Sequence, residues 1–189
     1  MVRPELAAVL LMFSSGAAAQ ELSDLAIEVG RAVELPAHQK LMGMLGNEGP
    51  ELAEFTTDGC SGGMTTVWTY IAEGFPGFAE VHSNSPPWLD CCTVHDRSYH
   101  NAGGVTDAEA SFDARLAADE DLRACVEDTA EHRKLELSKT YKTDEKTVIE
   151  TYQAIANAMF HSVRLGGGPC SRLPWRWGYG YPHCPTIFD

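Results

Sequence analysis

Two adjacent cysteines, Cys91 and Cys92, constrain the fold of this chain more than any other feature. They stand in the stretch Trp88-Leu89-Asp90-Cys91-Cys92-Thr93-Val94-His95-Asp96-Arg97-Ser98-Tyr99, with Pro86-Pro87 before it and Asn101 and Gly103-Gly104 after it. Proline suits the first turn of a helix and glycine its end, so one helix of roughly 14 residues is expected between them. Neighbouring side chains on a helix point about 100° apart, so the two sulfurs seek different partners. Trp88, Cys91, Cys92, His95 and Tyr99 share one face, with Asp96 beside His95 and one turn beyond Cys92. Two sulfurs, an imidazole and a phenol thus occupy positions where a packing helix carries Leu and Ile.

The rest of the chain says where such a helix would work. Arg3, the apolar run Leu6–Phe13 and Ala17-Ala18-Ala19 read as a signal peptide over residues 1–19, with cleavage near Gln20. No later stretch is long and apolar enough to span a bilayer, so a secreted, extracellular chain is expected. All six cysteines fall after the leader, and an even number in an exported chain points to three disulfides rather than zinc ligation by Cys91, Cys92 and His95. A net charge of −13 argues against nucleic acid or anionic membranes as partners drawn by bulk electrostatics.

Residues 21–55 read as helical packing elements interrupted at Pro36, with a second short helix near Leu41–Leu45. Thr56-Thr57-Asp58-Gly59-Cys60-Ser61-Gly62-Gly63 is a glycine-rich loop able to turn carbonyls inward. Residues 64–87, rich in aromatics but broken by Gly74, Gly77 and Asn84, suggest a loop or short hairpin. A helix capped by Thr106 with Glu109 runs towards Cys125, and on it Asp113 is flanked by Ala110, Leu116 and Ala117. Residues 126–146 are strongly charged and suggest no more than a frayed helix and turn. Val148, Tyr152, Ile155, Met159 and Val163 mark a helix from Thr147 to about Leu165, stopped by Gly166-Gly167-Gly168. The segment 166–189 reads as an irregular aromatic lobe closed by Cys170 and Cys184.

If Cys92 bridges Cys60, the glycine loop is pinned beside Asp96, and loop carbonyls with Asp96 and Asp58 would suit calcium. His95 is then suited to general-base work, with Asp113 the candidate acid to orient it and Tyr99 a donor to the same carboxylate. Neither a Gly-x-Ser-x-Gly elbow nor a His-Glu-x-x-His motif is present.

The pattern Cys-Cys-x-x-His-Asp-x-x-Tyr, after a glycine-rich cysteine loop and before an acid on the next helix, resembles secreted phospholipase A2. Thr57-Asp58-Gly59-Cys60 is similar to the calcium loop of its bacterial and fungal branch, Phe112-Asp113 to its second helix, and Thr151-Tyr152-Gln153-Ala154 to a late helix. The resemblance covers roughly residues 50–160. It implies a mainly α fold on two antiparallel disulfide-linked helices, with a catalytic domain over 20–165. It further implies calcium (Ca2+) bound by Asp96 and loop oxygens, either Asp58 and Gly59 or the carbonyls of Gly59, Ser61 and Gly63. His95 would activate water against the sn-2 ester of phospholipid at a membrane or micelle surface, with Asp113 and Tyr99 as its support. The alternatives are an inactive phospholipase-like toxin or binding protein, and a lipase acting on another ester. Counted from Asp113, Cys125 lies three turns on, whereas Cys91 is one turn before His95. A Cys91–Cys125 bridge is therefore not expected without a bend.

Overall fold

The computed structural model describes residues 4–46, 49–60 and 64–185. Among the described residues the chain is helical and contains no strand. Among them six α-helices follow one another: α1 (Pro4–Leu45), α2 (Met64–Gly74), α3 (Pro76–His82), α4 (Leu89–His100), α5 (Ala108–Tyr141) and α6 (Glu145–Gly166). No helix among the described residues is long and apolar enough to cross a membrane.

Three disulfides join Cys60 to Cys92, Cys91 to Cys125 and Cys170 to Cys184. The Cys91–Cys125 bridge corrects the expectation drawn from Asp113. Cys91 meets Cys125, His95 meets Asp119 and Tyr99 meets Arg115, so α5 numbers fall as α4 numbers rise. The two helices are antiparallel, and no bend is needed once the register is counted from Asp119. Closing loops of 32 and 34 residues, the bridges on Cys92 and Cys91 each contribute about 4 kcal/mol in the chain-entropy account.

Several elements depart from the pattern reading for identifiable reasons. Pro36 lies inside α1 rather than ending it. Its missing N–H normally costs a helix about 3 kcal/mol, but His38, Leu41 and Met42 beyond it are buried and hold the last turns in place. Residues 64–87 hold two helices rather than a loop or hairpin, and Pro76 opens α3, the position where a proline lacks nothing the helix needs. The N-cap of α5 is Asp107, one residue after Thr106, and its carboxylate accepts from the Ala110 amide at 2.9 Å.

The charged stretch after Cys125 is helical through Tyr141 because Val126, Ala130 and Leu137 form a buried stripe against α6. The charges lie outside it, with Glu131–Lys134 and Arg133–Glu136 one turn apart. Lys142, in the left-handed conformation at φ 52°, turns the chain, and Asp144 caps α6 through the Thr147 amide.

The core consists of two clusters. One gathers Cys60, Trp88, Cys91, Cys92, Leu122, Val126 and the inner face of α6. The other gathers Leu41, Met42, Tyr99, Ala102, Ala118 and Trp177. Helices α4 and α5 each pass from the first cluster to the second, and the position where they cross over carries His95 on α4 and Asp119 on α5.

Candidate functional site

His95 is 7% exposed and donates from Nε2 to Asp119 Oδ1 at 2.8 Å. The Tyr99 hydroxyl donates to the same oxygen at 2.7 Å, and Arg164 Nη1 donates to Oδ2 at 3.0 Å. Asp119 is fully buried, so three charged or polar donors replace the water it has lost. Burial alone would push the His95 pKa down. The Asp119 hydrogen bond, with Asp96 and the two carboxylate charges, outweighs this and raises it above its ordinary 6.5. Burial, with Asp119 beside it, drives the Tyr99 phenol well above its usual value and keeps it a proton donor.

Asp113 is not part of this arrangement. Its side chain is 60% exposed and accepts from Arg31 of α1 at 2.7 Å. The reason is helical phase: the buried stripe of α5 runs Phe112, Arg115, Asp119, Leu122, Val126, in alternating steps of three and four. Asp113 stands about 140° away from the centre of that stripe. In the sequence only Phe112, Leu122 and Val126 mark that phase, and the charges of Arg115 and Asp119 between them mask it.

Asp96 is 6% exposed, with Oδ1 lying 3.7 Å from His95 Nδ1. The Thr57 hydroxyl donates to Asp96 Oδ2 at 2.5 Å and accepts from the Gly59 amide at 3.0 Å. Gly59 is in the left-handed region at φ 77°, a conformation that favours glycine, and the next residue is tied to α4 by the Cys60–Cys92 bridge. Thr57 is therefore the latch between loop and helix, a role its residue type alone did not announce. Ser61 and Gly63, expected as further ligands, lie outside the described residues.

Asp96 and Asp58 line a cavity of about 230 Å3 together with Thr56, Thr57, Pro174, Trp175 and Tyr179. Two carboxylates and no basic side chain face this space among its described lining residues, so its chemistry fits a hard cation. Among the described residues no three His, Cys, Asp or Glu side chains converge as a metal cluster. A cation here would accordingly draw on carbonyl and hydroxyl oxygens besides Asp58 and Asp96. A larger cavity of about 710 Å3 lies between α1, α5 and α6 and includes neither His95 nor Asp96 in its walls.

The C-terminal lobe closes the site from the other side. Trp177 is fully buried, meets Tyr99 edge-on at 5.0 Å, and donates from Nε1 to Ser111 Oγ at 2.9 Å. The Gly178 and Gly180 amides donate to the carbonyls of Tyr99 and His100, which satisfies the end of α4. The Tyr179 hydroxyl donates to the Thr56 carbonyl at 2.6 Å. Burial, then Asp96 and Asp58, raises its pKa. At Gly167 a Cβ would meet the Tyr99 ring at 2.6 Å, so a glycine is required where the chain leaves α6 beside that ring.

No family model, curated protein or solved structure matches the chain.

Proposed function

We propose that this chain is an exported, calcium-dependent phospholipase A2 that hydrolyses the sn-2 ester of glycerophospholipids. The observation that carries the reading is the held imidazole: Nε2 is fixed on buried Asp119, and Nδ1 is on the side of Asp96. Three disulfides favour an oxidising, extracellular setting. The two disulfide-linked antiparallel helices agree with the phospholipase A2-like fold implied by the Cys-Cys-x-x-His-Asp-x-x-Tyr pattern.

In this reading His95 Nδ1 removes a proton from water as the water attacks the ester carbonyl, and returns it to the departing alcohol. Asp119 holds the tautomer with hydrogen on Nε2 and stabilises the imidazolium while it exists. Tyr99 stays protonated and keeps Asp119 oriented. Calcium, held by Asp96, Asp58 and loop oxygens near Gly59, would supply positive charge for the phosphate and the developing oxyanion. Trp175 and Pro174 give the cavity an apolar wall on which lipid can rest.

Two variants separate base from ligand. His95→Gln should remove turnover and leave calcium affinity largely intact, whereas Asp96→Asn should weaken both. Unchanged turnover in the first variant would exclude His95 as the base, and full calcium affinity in the second would dislodge Asp96 as the ligand.

A further inference from the structure

We propose that Arg164, anchored by Glu34 of α1, is a positioning residue for the His95–Asp119 pair, an inference that rests on the catalytic reading of that pair. Helix α1 then belongs to the catalytic apparatus although none of its described side chains lines the cavity at Asp96.

Five side chains form a closed ring. Arg164 Nη1 donates to Asp119 Oδ2 at 3.0 Å and its Nη2 to Glu34 Oε1 at 2.7 Å. The other Glu34 oxygen accepts from Arg115 Nη1. Arg115 Nε donates to the Tyr99 hydroxyl at 3.1 Å, and Tyr99 returns to Asp119 at 2.7 Å. Arg115 is itself fixed by the carbonyls of Val163 and Arg164, each at 2.8 Å. The ring contains two carboxylates and two guanidiniums, so its charge is balanced.

His95 and Tyr99 both use Asp119 Oδ1, and donors on one oxygen leave the carboxylate free to swing about it. Arg164 removes that freedom by holding the second oxygen. Glu34 in turn immobilises Arg164, whose side chain would otherwise sample many rotamers. A stability role alone is a poor account, since buried ion pairs are often matched or exceeded by apolar packing. Nor is the ring the only tether of α1: Arg31 already joins it to Glu109 and Asp113 without touching Asp119.

The test uses the full calcium-loaded chain as wild type, Arg164→Gln, Arg164→Lys, Glu34→Gln, the Arg164→Gln/Glu34→Gln double variant and Arg31→Gln, each checked for native circular dichroism. Turnover of phosphatidylcholine and the NMR signal of the His95 Nε2 proton are both read. Arg164→Gln should lower kcat about 10- to 100-fold and change KM and calcium affinity by no more than about twofold. Arg164→Lys should recover part of the loss, the double variant should be no worse than Arg164→Gln, and Arg31→Gln should match wild type. The ring-proton signal should shift or vanish only in the Arg164 and Glu34 variants. Wild-type kcat or an unmoved ring proton in folded Arg164→Gln would overturn the proposal. If that variant does not fold, the same result in both Arg164→Lys and Glu34→Gln would overturn it. If wild type itself hydrolyses no phospholipid, the function reading fails and the ring proton alone decides: a shift in Arg164→Gln supports positioning and an unmoved signal refutes it.

Discussion

Replacing Asp119 by Asn keeps the volume of the side chain and removes its charge. Asp119 Oδ1 accepts from His95 and Tyr99, and Oδ2 accepts from Arg164. An amide has one oxygen, so its NH2 group must face either His95 and Tyr99 or Arg164, donor against donor. Breaking a buried ion pair from one side costs about 3–5 kcal/mol. For a chain of this size that lowers the melting temperature by about 6–20 °C. An imidazole deprived of its orienting carboxylate loses roughly 10^3- to 10^4-fold in kcat. Asp113→Asn is the matched control. Its carboxylate is exposed, and Arg31 retains Glu109 when it goes, so the melting temperature should move by no more than about 2 °C, with kcat unchanged. Thermal melts and steady-state turnover on the two variants decide. Equal melting shifts, or lost turnover in Asp113→Asn with turnover retained in Asp119→Asn, would refute the reasoning.

Two further outcomes follow from polar groups around the site. Burial holds the His38 pKa below its ordinary 6.5, so the unfolded chain binds more protons than the folded one as pH falls below 6.5, and stability is lost there. Melting curves of His38→Gln without calcium should show a shallower acid-side decline than wild type, and parallel declines would refute this. The raised pKa of His95 has the opposite sign: its contribution is complete below 6.5 and is lost as pH rises through the folded value. Thr57→Val removes the latch between the Gly59 amide and Asp96, so calorimetry should find calcium affinity reduced about 10- to 100-fold in a folded protein. Unchanged affinity would show that the latch does not shape the site.

Much of the site was legible because α4 carries its chemistry in consecutive turns of one short helix. Pro86-Pro87 and Asn101 bracket it, and its observed span of Leu89–His100 follows from those breakers. The partner helix was harder to phase. Ala110, Leu116 and Ala117 are small or moderately apolar and imitate an inner face around Asp113, whereas the true stripe includes Arg115 and Asp119. Those two charges are tolerable inside only because Glu34, some eighty residues upstream, and Arg164 compensate them. Such long-range pairing has no local periodic signature. The aromatic stretch 64–87 hid two helices for a different reason: Gly74 ends α2, Gly77 lies in the first turn of α3 and Asn84 follows it, so each resembles a breaker.

The most direct test is hydrolysis of mixed-chain phosphatidylcholine micelles by the folded protein, first with calcium and then with excess chelator. The account predicts release of the sn-2 acid alone, abolished by chelator and restored when calcium is returned. Release that ignores chelator would contradict the calcium mechanism. No release from folded, calcium-loaded protein would contradict the phospholipase reading and turn attention to another ester or to a binding role for the scaffold.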